Sequence, residues 1–330
     1  TMAFIYVIGS LSVLIFNYSN ILPSFYIIIH DVFNGSAIAG GFLGASFSTA
    51  FTYGVARGLY SNEAGQGSSP IAHATSNTKH SVEEGFVSIL EPFIDTLIIC
   101  TLTGLVILAS GVWTEKYEND FERTSLYFLG QSESQQDISN QINSYIECRD
   151  NGGDCFSGEI LIENGILNES NTVFHNRSIA ENVSFFKDDK LFSGIIKIEN
   201  GLLITQGINV KGESLVKSAV LTSKAFNKGF FGNYGEFIVS IGLLLFAFST
   251  MITWSYYGDR CTLYLFGEQA LIFYRILYLL AMFIAGSGLI DTEVIWNFAL
   301  ITVAASTLPN LLGMFLLRKE MKFLLKDYLK

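Results

Sequence analysis

Six long apolar segments constrain this chain more than any other feature of its sequence. They are Met2–Phe16, Ala37–Tyr53, Phe86–Val112, Phe237–Tyr257, Ala270–Gly288 and Val294–Leu317. Most of them approach the roughly 20 residues that a helix needs to cross about 30 Å of hydrocarbon. Half of the chain is hydrophobic, 15% is charged, and the mean hydropathy is +0.39. This composition is too apolar for an ordinary soluble domain and predicts an all-α polytopic membrane protein.

The first apolar segment is short. It begins at the second residue of the sequence, with no capping residue and no positively charged flank before it. We therefore expect Met2–Phe16 to be the end of a span whose beginning lies outside this sequence. The apolar stretch within residues 17–36 is too short to cross a bilayer. It predicts an amphipathic element that lies at the membrane interface.

A polar block, residues 114–228, separates the third and fourth apolar segments. Short β-type runs in this block end in Asn164-Gly165 and Asn200-Gly201, and Asn-Gly between apolar runs is a strong hairpin signal. The block therefore predicts a small β-rich insertion. Cys148 and Cys155 form a disulfide if the block is extracytoplasmic, and the alternative is two unpaired thiols.

The distribution of lysine and arginine predicts the orientation of the spans. Lys79, Arg260 and Arg275 lie in alternate connections, and the C-terminal tail carries five more basic residues, whereas residues 30–41 and 289–293 carry none. The positive-inside rule then places both termini in the cytoplasm and the polar block outside a plasma (inner) membrane that the chain crosses several times. Because the tail holds the only basic stripe, a nucleic-acid partner is not expected.

These boundaries predict three parts. Residues 1–113 are a membrane domain with the end of one span, the interfacial helix and two further spans. Residues 114–228 are the extracytoplasmic insertion. Residues 229–330 are a membrane domain of three spans with a basic cytoplasmic tail.

A glycine-rich polar motif, residues 54–77, follows the second apolar segment. Ionisable groups in such a place cost at least about 2.5–3.5 kcal/mol each unless they are paired or face a cavity. A glycine-interrupted span with polar groups is typical of a substrate pathway. We expect Arg57, Asn62 and Glu63 to form an ion-paired or hydrogen-bonded cluster near the cytoplasmic side. We expect this cluster to act as a gate or structural lock, with substrate contact as the alternative. Asp95 is a further buried carboxylate, with Arg57 or Thr101 as its expected partner.

Three stretches of the chain together resemble the sodium:alanine (alanine or glycine:cation) symporter family. They are Gly-Val-Ala-Arg-Gly-Leu-Tyr-Ser-Asn-Glu-Ala-Gly-Gln-Gly-Ser-Ser-Pro-Ile-Ala-His-Ala (54–74), residues 91–108 and residues 246–258. The resemblance covers residues 1–113 and 219–317. It departs from the family in the long polar block and in Ser81–Gly85, which is acidic where the family usually shows a proline and a basic residue.

The resemblance implies a fold of two inverted five-helix repeats, in which the first helix of each repeat is broken at the midplane. This chain then carries the end of the fifth helix and the second half of the inverted-repeat amino-acid transporter fold. The first repeat, which supplies much of the substrate and sodium site, is then the missing N-terminal partner from the same protein.

The resemblance also implies site residues. Ser249 and Thr250 are expected to bind Na⁺, because sodium prefers hard oxygen ligands, and the alternative is that both hydroxyls bond back to their own helix. Thr250 and Trp254 lie on one helix face and are expected to line the pocket of a small neutral amino acid. Phe47 and Phe51 are expected to close over the substrate, with core or lipid packing as the alternative.

The sequence and the resemblance together predict sodium-coupled symport of alanine or glycine, with Na⁺ as the coupling ion, no organic cofactor, and the amino acid and the lipid bilayer as partners. No spacing supports a nucleophile–base pair, so an enzyme is not expected. The alternative is a non-transporting membrane anchor that displays the outer domain for adhesion or sensing.

Overall fold

The computed structural model describes residues 2–34, 47–61, 63–131, 155–167, 171–176, 178–290 and 292–330. It is mostly helical, with a β-rich region between residues 116 and 215. The chain divides into two compact units. One unit comprises Thr1–Ser10, Ser48–Gly104 and Ser240–Lys330, and the other comprises Leu11–Phe47 and Leu105–Val239.

Helices make up most of the described residues. In chain order, the α-helices are α1 (Met2–Phe16), α2 (Ile21–Asn34), α3 (Phe47–Ser61), α4 (Glu63–Gln66), α5 (Ser69–His73), α6 (Ser81–Ser88), α7 (Leu90–Pro92), α8 (Thr101–Ser110), α9 (Ser218–Asn227), α10 (Gly235–Phe266), α11 (Leu271–Gly286) and α12 (Thr292–Tyr328). Short 3₁₀ turns occur at Tyr18–Asn20, Val112–Thr114, Arg123–Ser125, Gly232–Tyr234 and Glu268–Ala270.

Within the described residues, four helical stretches are long and apolar enough to cross a membrane. They are Ser81–Ser110, Gly232–Phe266, Glu268–Gly286 and Val294–Tyr328, which correspond to the third to sixth apolar segments of the sequence. At most 22% of the most hydrophobic window of any of them is buried. Their apolar side chains therefore face outward and require a lipid or protein covering.

The first apolar segment forms a helix with the predicted bounds, and a sharp bend follows it. Met2–Phe16 and Tyr18–His30 qualify together as one span, but they meet at 85°. A helix is thus present where the interfacial element is expected, and its position in a membrane stays a prediction. Most of the second apolar segment, residues 37–46, lies outside the described residues, and α3 begins at Phe47.

The span Ser81–Ser110 changes its winding in the middle. Phe93–Cys100 forms a π-helix between α7 and α8. It follows Pro92, whose ring nitrogen has no hydrogen to donate to the helical ladder. π-Helical turns occur frequently at functional sites, and this one carries Asp95.

The described part of the β-rich region forms eleven strands in three sheets. The strands are β1 (Lys116–Asp120), β2 (Leu126–Gln131), β3 (Gly158–Glu163), β4 (Ile166–Leu167), β5 (Asn171–His175), β6 (Ser178–Ile179), β7 (Glu181–Lys187), β8 (Lys190–Leu191), β9 (Gly194–Glu199), β10 (Leu202–Leu203) and β11 (Asn209–Leu215). The sheet orders are β1-β11-β7-β8, β10-β9-β3-β4 and β2-β5-β6, and all pairings are antiparallel. We call the β-rich region, residues 116–215, the β module.

Both predicted hairpins are confirmed. β3 pairs with β4 and β9 pairs with β10. Asn164 and Gly165 have φ of 50° and 78°, and Asn200 and Gly201 have φ of 50° and 74°. Two successive residues with positive φ are required by the type I′ turn, whose twist matches that of the flanking strands.

The two hairpins belong to an internal repeat. Residues 156–167 and 192–203 share Phe-Ser-Gly-x-Ile-x-Ile-Glu-Asn-Gly-x-Leu. Their central strands pair with each other, and Ile160 stands opposite its own counterpart, Ile196. The repeats therefore approach a local two-fold arrangement in this sheet.

Hydrogen bonds repeat this symmetry. The amide of Asn164 donates to the hydroxyl of Ser193, and the amide of Asn200 donates to the hydroxyl of Ser157, both at 2.9 Å. Each hairpin turn is thus fixed by a serine of the other repeat.

One hydrophobic core is shared by all three sheets. Its buried members are Phe121, Leu126, Phe128, Ile160, Ile162, Val173, Phe185, Ile196, Ile198, Leu203, Ile208 and Val210. β3 and β9 alternate strictly, so that Ile160, Ile162, Ile196 and Ile198 point into this core while the intervening side chains do not. This alternation of buried and exposed side chains is the period-2 pattern by which the sequence predicts strands here.

Candidate functional site

The glycine-rich motif forms a broken helix. α3 ends at Ser61, α4 is only four residues long, and Gly67 has φ of +86° before α5 begins. A Cβ atom at Gly67 would lie 3.0 Å from the Asn310 side chain. Both the left-handed backbone conformation and this close approach therefore favour glycine at position 67.

The backbone carbonyls exposed by the break are bound by two side-chain amides. Gln66 donates from Nε2 to the carbonyl oxygens of Leu59 at 3.1 Å and Tyr60 at 2.6 Å. Asn310 donates from Nδ2 to those of Ala64 and Gly65, both at 2.9 Å. These bonds offset the loss of helical hydrogen bonds that a break entails, and they hold α4 to α12.

Pro309 precedes Asn310 in the interior of α12. A proline there removes one ladder hydrogen bond and disfavours a straight helix. α12 nevertheless continues through Pro309, and Asn310 follows it beside the broken motif.

Glu63, at the start of α4, is bound by two hydroxyls. Tyr257 donates to its Oε2 at 3.2 Å, and Ser68 lies at 3.3 Å from the same oxygen. The Tyr257 side chain is buried in α10. Glu63 therefore ties the broken motif to the helix that carries the predicted sodium ligands.

Arg57 faces an aromatic ring. Its guanidinium carbon lies 4.2 Å from the centroid of the Trp296 ring, and Tyr60 packs against the same indole at 5.4 Å. A cation over an indole face is stabilised by about 0.5–2 kcal/mol. Such a contact lowers the cost of an arginine beside an apolar span.

Asp95 accepts a hydrogen bond from the hydroxyl of Ser61 at 2.6 Å. Within the described residues, Asp95 therefore contacts Ser61 rather than the expected Arg57 or Thr101, because Arg57 lies over Trp296. Arg57 and Glu63 likewise contact separate partners there, and Asn62 lies outside the described residues. The sequence marks Arg57, Glu63 and Asp95 as polar groups that need compensation. It carries no signal for the compensating partners Trp296, Tyr257 and Ser61, or for Gln66 and Asn310.

The expected sodium ligands lie in the middle of α10. Ser249 is half-buried and Thr250 is exposed. The hydroxyl of Thr253 donates to the Ser249 carbonyl oxygen at 3.0 Å, which is the back-bonding typical of serine and threonine in helices. Trp254 is 40% exposed and packs edge-on against Tyr257 at 5.9 Å. Trp254 is therefore linked through Tyr257 to Glu63.

The structure says less about the other expected residues, namely the two phenylalanines and the cysteine pair. Phe51 is 62% exposed on α3. Phe47 is the first residue of α3, and its side chain lies outside the described part. Cys155 is disulfide-bonded, but Cys148 lies outside the described residues, so the Cys148–Cys155 pairing stays a prediction.

Comparison with known proteins decides the family. The sequence profile described as the sodium:alanine symporter family matches residues 1–138 and 194–330. The chain belongs to this family. It is a family of transporters and not of enzymes. The unmatched residues, 139–193, fall within the β module and include the first copy of its internal repeat.

Three relatives match the chain over nearly its whole length. An uncharacterized transporter of Haemophilus influenzae is 27% identical over 327 residues, which is 99% of this chain and 50% of that protein. The uncharacterized transporter YflA of Bacillus subtilis is 28% identical, over 99% of this chain and 48% of that protein. The sodium/alanine symporter AgcS of Methanococcus maripaludis is 28% identical, over 96% and 47%. The chain therefore spans about half the length of these curated relatives.

Proposed function

We propose that this chain is the second half of a sodium-coupled symporter that carries alanine or glycine across the plasma membrane. Family membership and the name of the Methanococcus relative support the chemistry. The chain's coverage of about half of each relative supports a partial transporter whose first repeat lies elsewhere in the same protein.

The broken motif is the observation that carries this proposal. A helix broken at Gly67, with side-chain amides on its freed carbonyls, is the construction expected at a substrate pathway. Irregular backbone at membrane depth is stable only where protein or a water-filled cavity satisfies it. Gln66 and Asn310 supply that satisfaction in this chain.

The coupling ion is assigned to the hydroxyls of Ser249 and Thr250 in α10, with further ligands from the first repeat. Trp254 and Thr250 then line the amino-acid pocket, with Phe47 and Phe51 closing it. The connection from Glu63 through Tyr257 to α10 supports a mechanical link between the motif and the sodium site. Arg57, whose guanidinium lies over the Trp296 ring, is the proposed gate residue.

The proposed orientation has both ends of the chain in the cytoplasm and the β module outside. It rests on the basic residues of the C-terminal tail and on the polar composition of residues 114–228. The disulfide at Cys155 supports an oxidising compartment for the module.

Binding of labelled alanine to the purified complete transporter tests this function. We expect that sodium raises the affinity for alanine, that glycine competes, and that potassium does not replace sodium. A matched pair of variants locates the site. Trp254→Phe keeps a ring but removes the indole N–H, and it should weaken alanine binding more than the same change at Trp296. Equal alanine binding in sodium and in potassium would contradict the proposal.

A further inference from the structure

A histidine stands between two carboxylates at the end of the broken motif. Nδ1 of His73, the last residue of α5, lies 2.5 Å from Oε1 of Glu84, and its Nε2 lies 3.4 Å from Oε2 of Glu91. Ser69 donates from its hydroxyl to the same Glu91 oxygen at 2.5 Å. We call His73, Glu84 and Glu91 the acid–histidine cluster.

The cluster joins two elements. His73 and Ser69 belong to α5, whereas Glu84 and Glu91 belong to α6 and α7 of the span Ser81–Ser110. The side chains of His73 and Glu84 are 27% and 19% exposed. The cluster is therefore partly shielded but still open to protons from water.

The contacts of both ring nitrogens with carboxylate oxygens favour a doubly protonated His73 ring. A neutral imidazole has one donor and one acceptor nitrogen, and an ionised carboxylate is acceptor-only. With neutral His73, one of the two contacts would place a lone pair against a carboxylate oxygen. With imidazolium, both ring nitrogens donate, and both bonds are charge-assisted.

Three other ionisable residues, Glu83, His80 and Lys79, lie near the cluster in the chain, and two of them contact Tyr328. Glu83 accepts from the hydroxyl of Tyr328 at 3.5 Å, and the His80 ring packs against the Tyr328 ring at 5.7 Å. Lys79 lies in the connection between α5 and α6. The carboxylates that contact His73 within the described residues are thus Glu84 and Glu91.

Glu84 lies on an acidic turn of the span. Glu83 and Glu84 both fall in the first turn of α6. A carboxylate at this place favours the charged form of His73, so the junction suits a positive charge.

We propose that His73, Glu84 and Glu91 form a proton-binding site that fastens the end of the broken motif to the span Ser81–Ser110. When the proton is bound, imidazolium bonds to both carboxylates and α5 is held. When the proton leaves, one contact becomes repulsive and α5 is released. The ligand is a proton, and the site is separate from the sodium ligands proposed at Ser249 and Thr250.

The electrostatics agree with this site. The hydrogen bond with Glu84 raises the pKa of His73 above the 6.5 of a free imidazole, partial burial opposes this, and the bond with Glu91 adds to it. The site is accordingly occupied at low pH and empties as pH rises through this raised pKa.

Proton titration of His73 by NMR tests the site directly in the 330-residue chain in detergent micelles. The chain has four histidines, and the signal lost in His73→Gln identifies the residue. We expect His73 to titrate above 6.5, and Glu84→Gln to move its pKa downward. Glu83→Gln changes the neighbouring carboxylate, which contacts Tyr328, and should leave the His73 titration unchanged. If Glu84→Gln does not lower the pKa of His73, the proposal is wrong.

The fastening is tested by a distance measurement that does not depend on transport. Spin labels at Ala74 and Val87, with Cys100 and Cys261 changed to serine, report the separation of α5 and α6. We expect a single short distance below the His73 pKa and a broader, longer distribution above it. Glu84→Gln should show the broad distribution at both pH values, while Glu83→Gln should behave as the parent. A distribution that is identical at both pH values in the parent would overturn the release step.

Discussion

At the scale of single residues, the amide of Asn310 joins the broken motif to α12. It serves two carbonyl oxygens, those of Ala64 and Gly65. Asn310→Leu keeps a similar size but removes both hydrogen bonds. Each contributes about 0.5–1.5 kcal/mol, the exposed bond to Ala64 less than the part-buried bond to Gly65. We expect a lower melting temperature and a loss of sodium-dependent alanine binding in the complete transporter. Asn297→Leu, at an exposed position of the same helix, is the control and should change neither.

The hydroxyls of Ser249 and Thr250 give a second prediction at this scale. The double variant Ser249→Ala, Thr250→Ala should raise the sodium concentration needed for half-maximal uptake by the complete transporter, because two hard oxygen ligands are lost. Thr253→Ala removes a hydroxyl that bonds back to the helix, and it should leave the sodium dependence close to that of the parent. An unchanged sodium dependence in the double variant would assign Ser249 and Thr250 to helix packing.

The sequence predicts which residues of the site need partners but not which partners they find. Arg57, Glu63 and Asp95 stand out because charge beside an apolar span is costly. Asn310 is 246 residues away from Ala64, and Tyr257 is 194 residues away from Glu63. An asparagine or a tyrosine in a span can bond to its own helix or to many neighbours, so residue type alone does not identify its partner. Only the packing of α10 and α12 against the motif shows that these two act on it.

At the scale of elements, alanine substitutions at two turn glycines of the β module should lower its stability by different amounts. Gly165 and Gly207 both have positive φ. A Cβ at Gly165 would lie 2.6 Å from the Leu191 side chain, which is free to move, and 3.2 Å from the fixed carbonyl oxygen of Phe185, whereas nothing lies within 4 Å of one at Gly207. Gly207→Ala should lower the free energy of unfolding by about 1–2 kcal/mol, from left-handed strain alone. Gly165→Ala should cost more. Urea denaturation of the β module, followed by circular dichroism, measures both, and equal costs would contradict the close contact.

His175 predicts the pH dependence of the β module. It is buried, stacks on Phe121 with ring centroids 4.2 Å apart, and shares a 2.7 Å hydrogen bond between Nδ1 and Ser214. Burial, and then the charge of Lys217, lower the pKa of His175 to about 4. The unfolded chain takes up this proton near 6.5 while the folded module does not, so stability falls as pH is lowered from about 6.5 to 4.

The loss expected from His175 is on the order of 2–3 kcal/mol at pH 4.5. Urea midpoints of the β module at pH 7 and pH 4.5 measure it. His175→Gln lowers stability at both pH values because it loses the stack on Phe121, but it should flatten the difference between them. A difference of the same size in His175→Gln would assign the pH dependence to other groups.

Predictability also differs between elements. The helices and the Asn-Gly hairpins follow from local patterns, so apolar runs and turn residues were sufficient. The pairing of β3 with β9 joins strands far apart in the chain, and local patterns do not show it. The shared Phe-Ser-Gly and Glu-Asn-Gly of residues 156–167 and 192–203 were the available signal, since similar strands in one module often neighbour each other.

At the scale of the whole molecule, the β module should be independent of transport. Its core is drawn from its own three sheets. We expect residues 114–228 to express as a soluble domain with a β-type circular dichroism spectrum. Replacing them by a short linker should leave uptake by the complete transporter largely intact. Protease added to intact cells should cut within the module. Protection from that protease would reverse the proposed topology, and a random-coil spectrum would contradict a self-contained fold.

Uptake of labelled alanine into proteoliposomes under an inward sodium gradient tests sodium-coupled symport directly. We expect the complete transporter to accumulate alanine and the replacement of sodium by potassium to abolish accumulation. We expect no uptake above background from residues 1–330 alone, because this chain spans about half the length of its relatives. Accumulation by the 330-residue chain alone would contradict the inverted-repeat account. Uptake by the complete protein that is indifferent to sodium would contradict sodium-coupled symport.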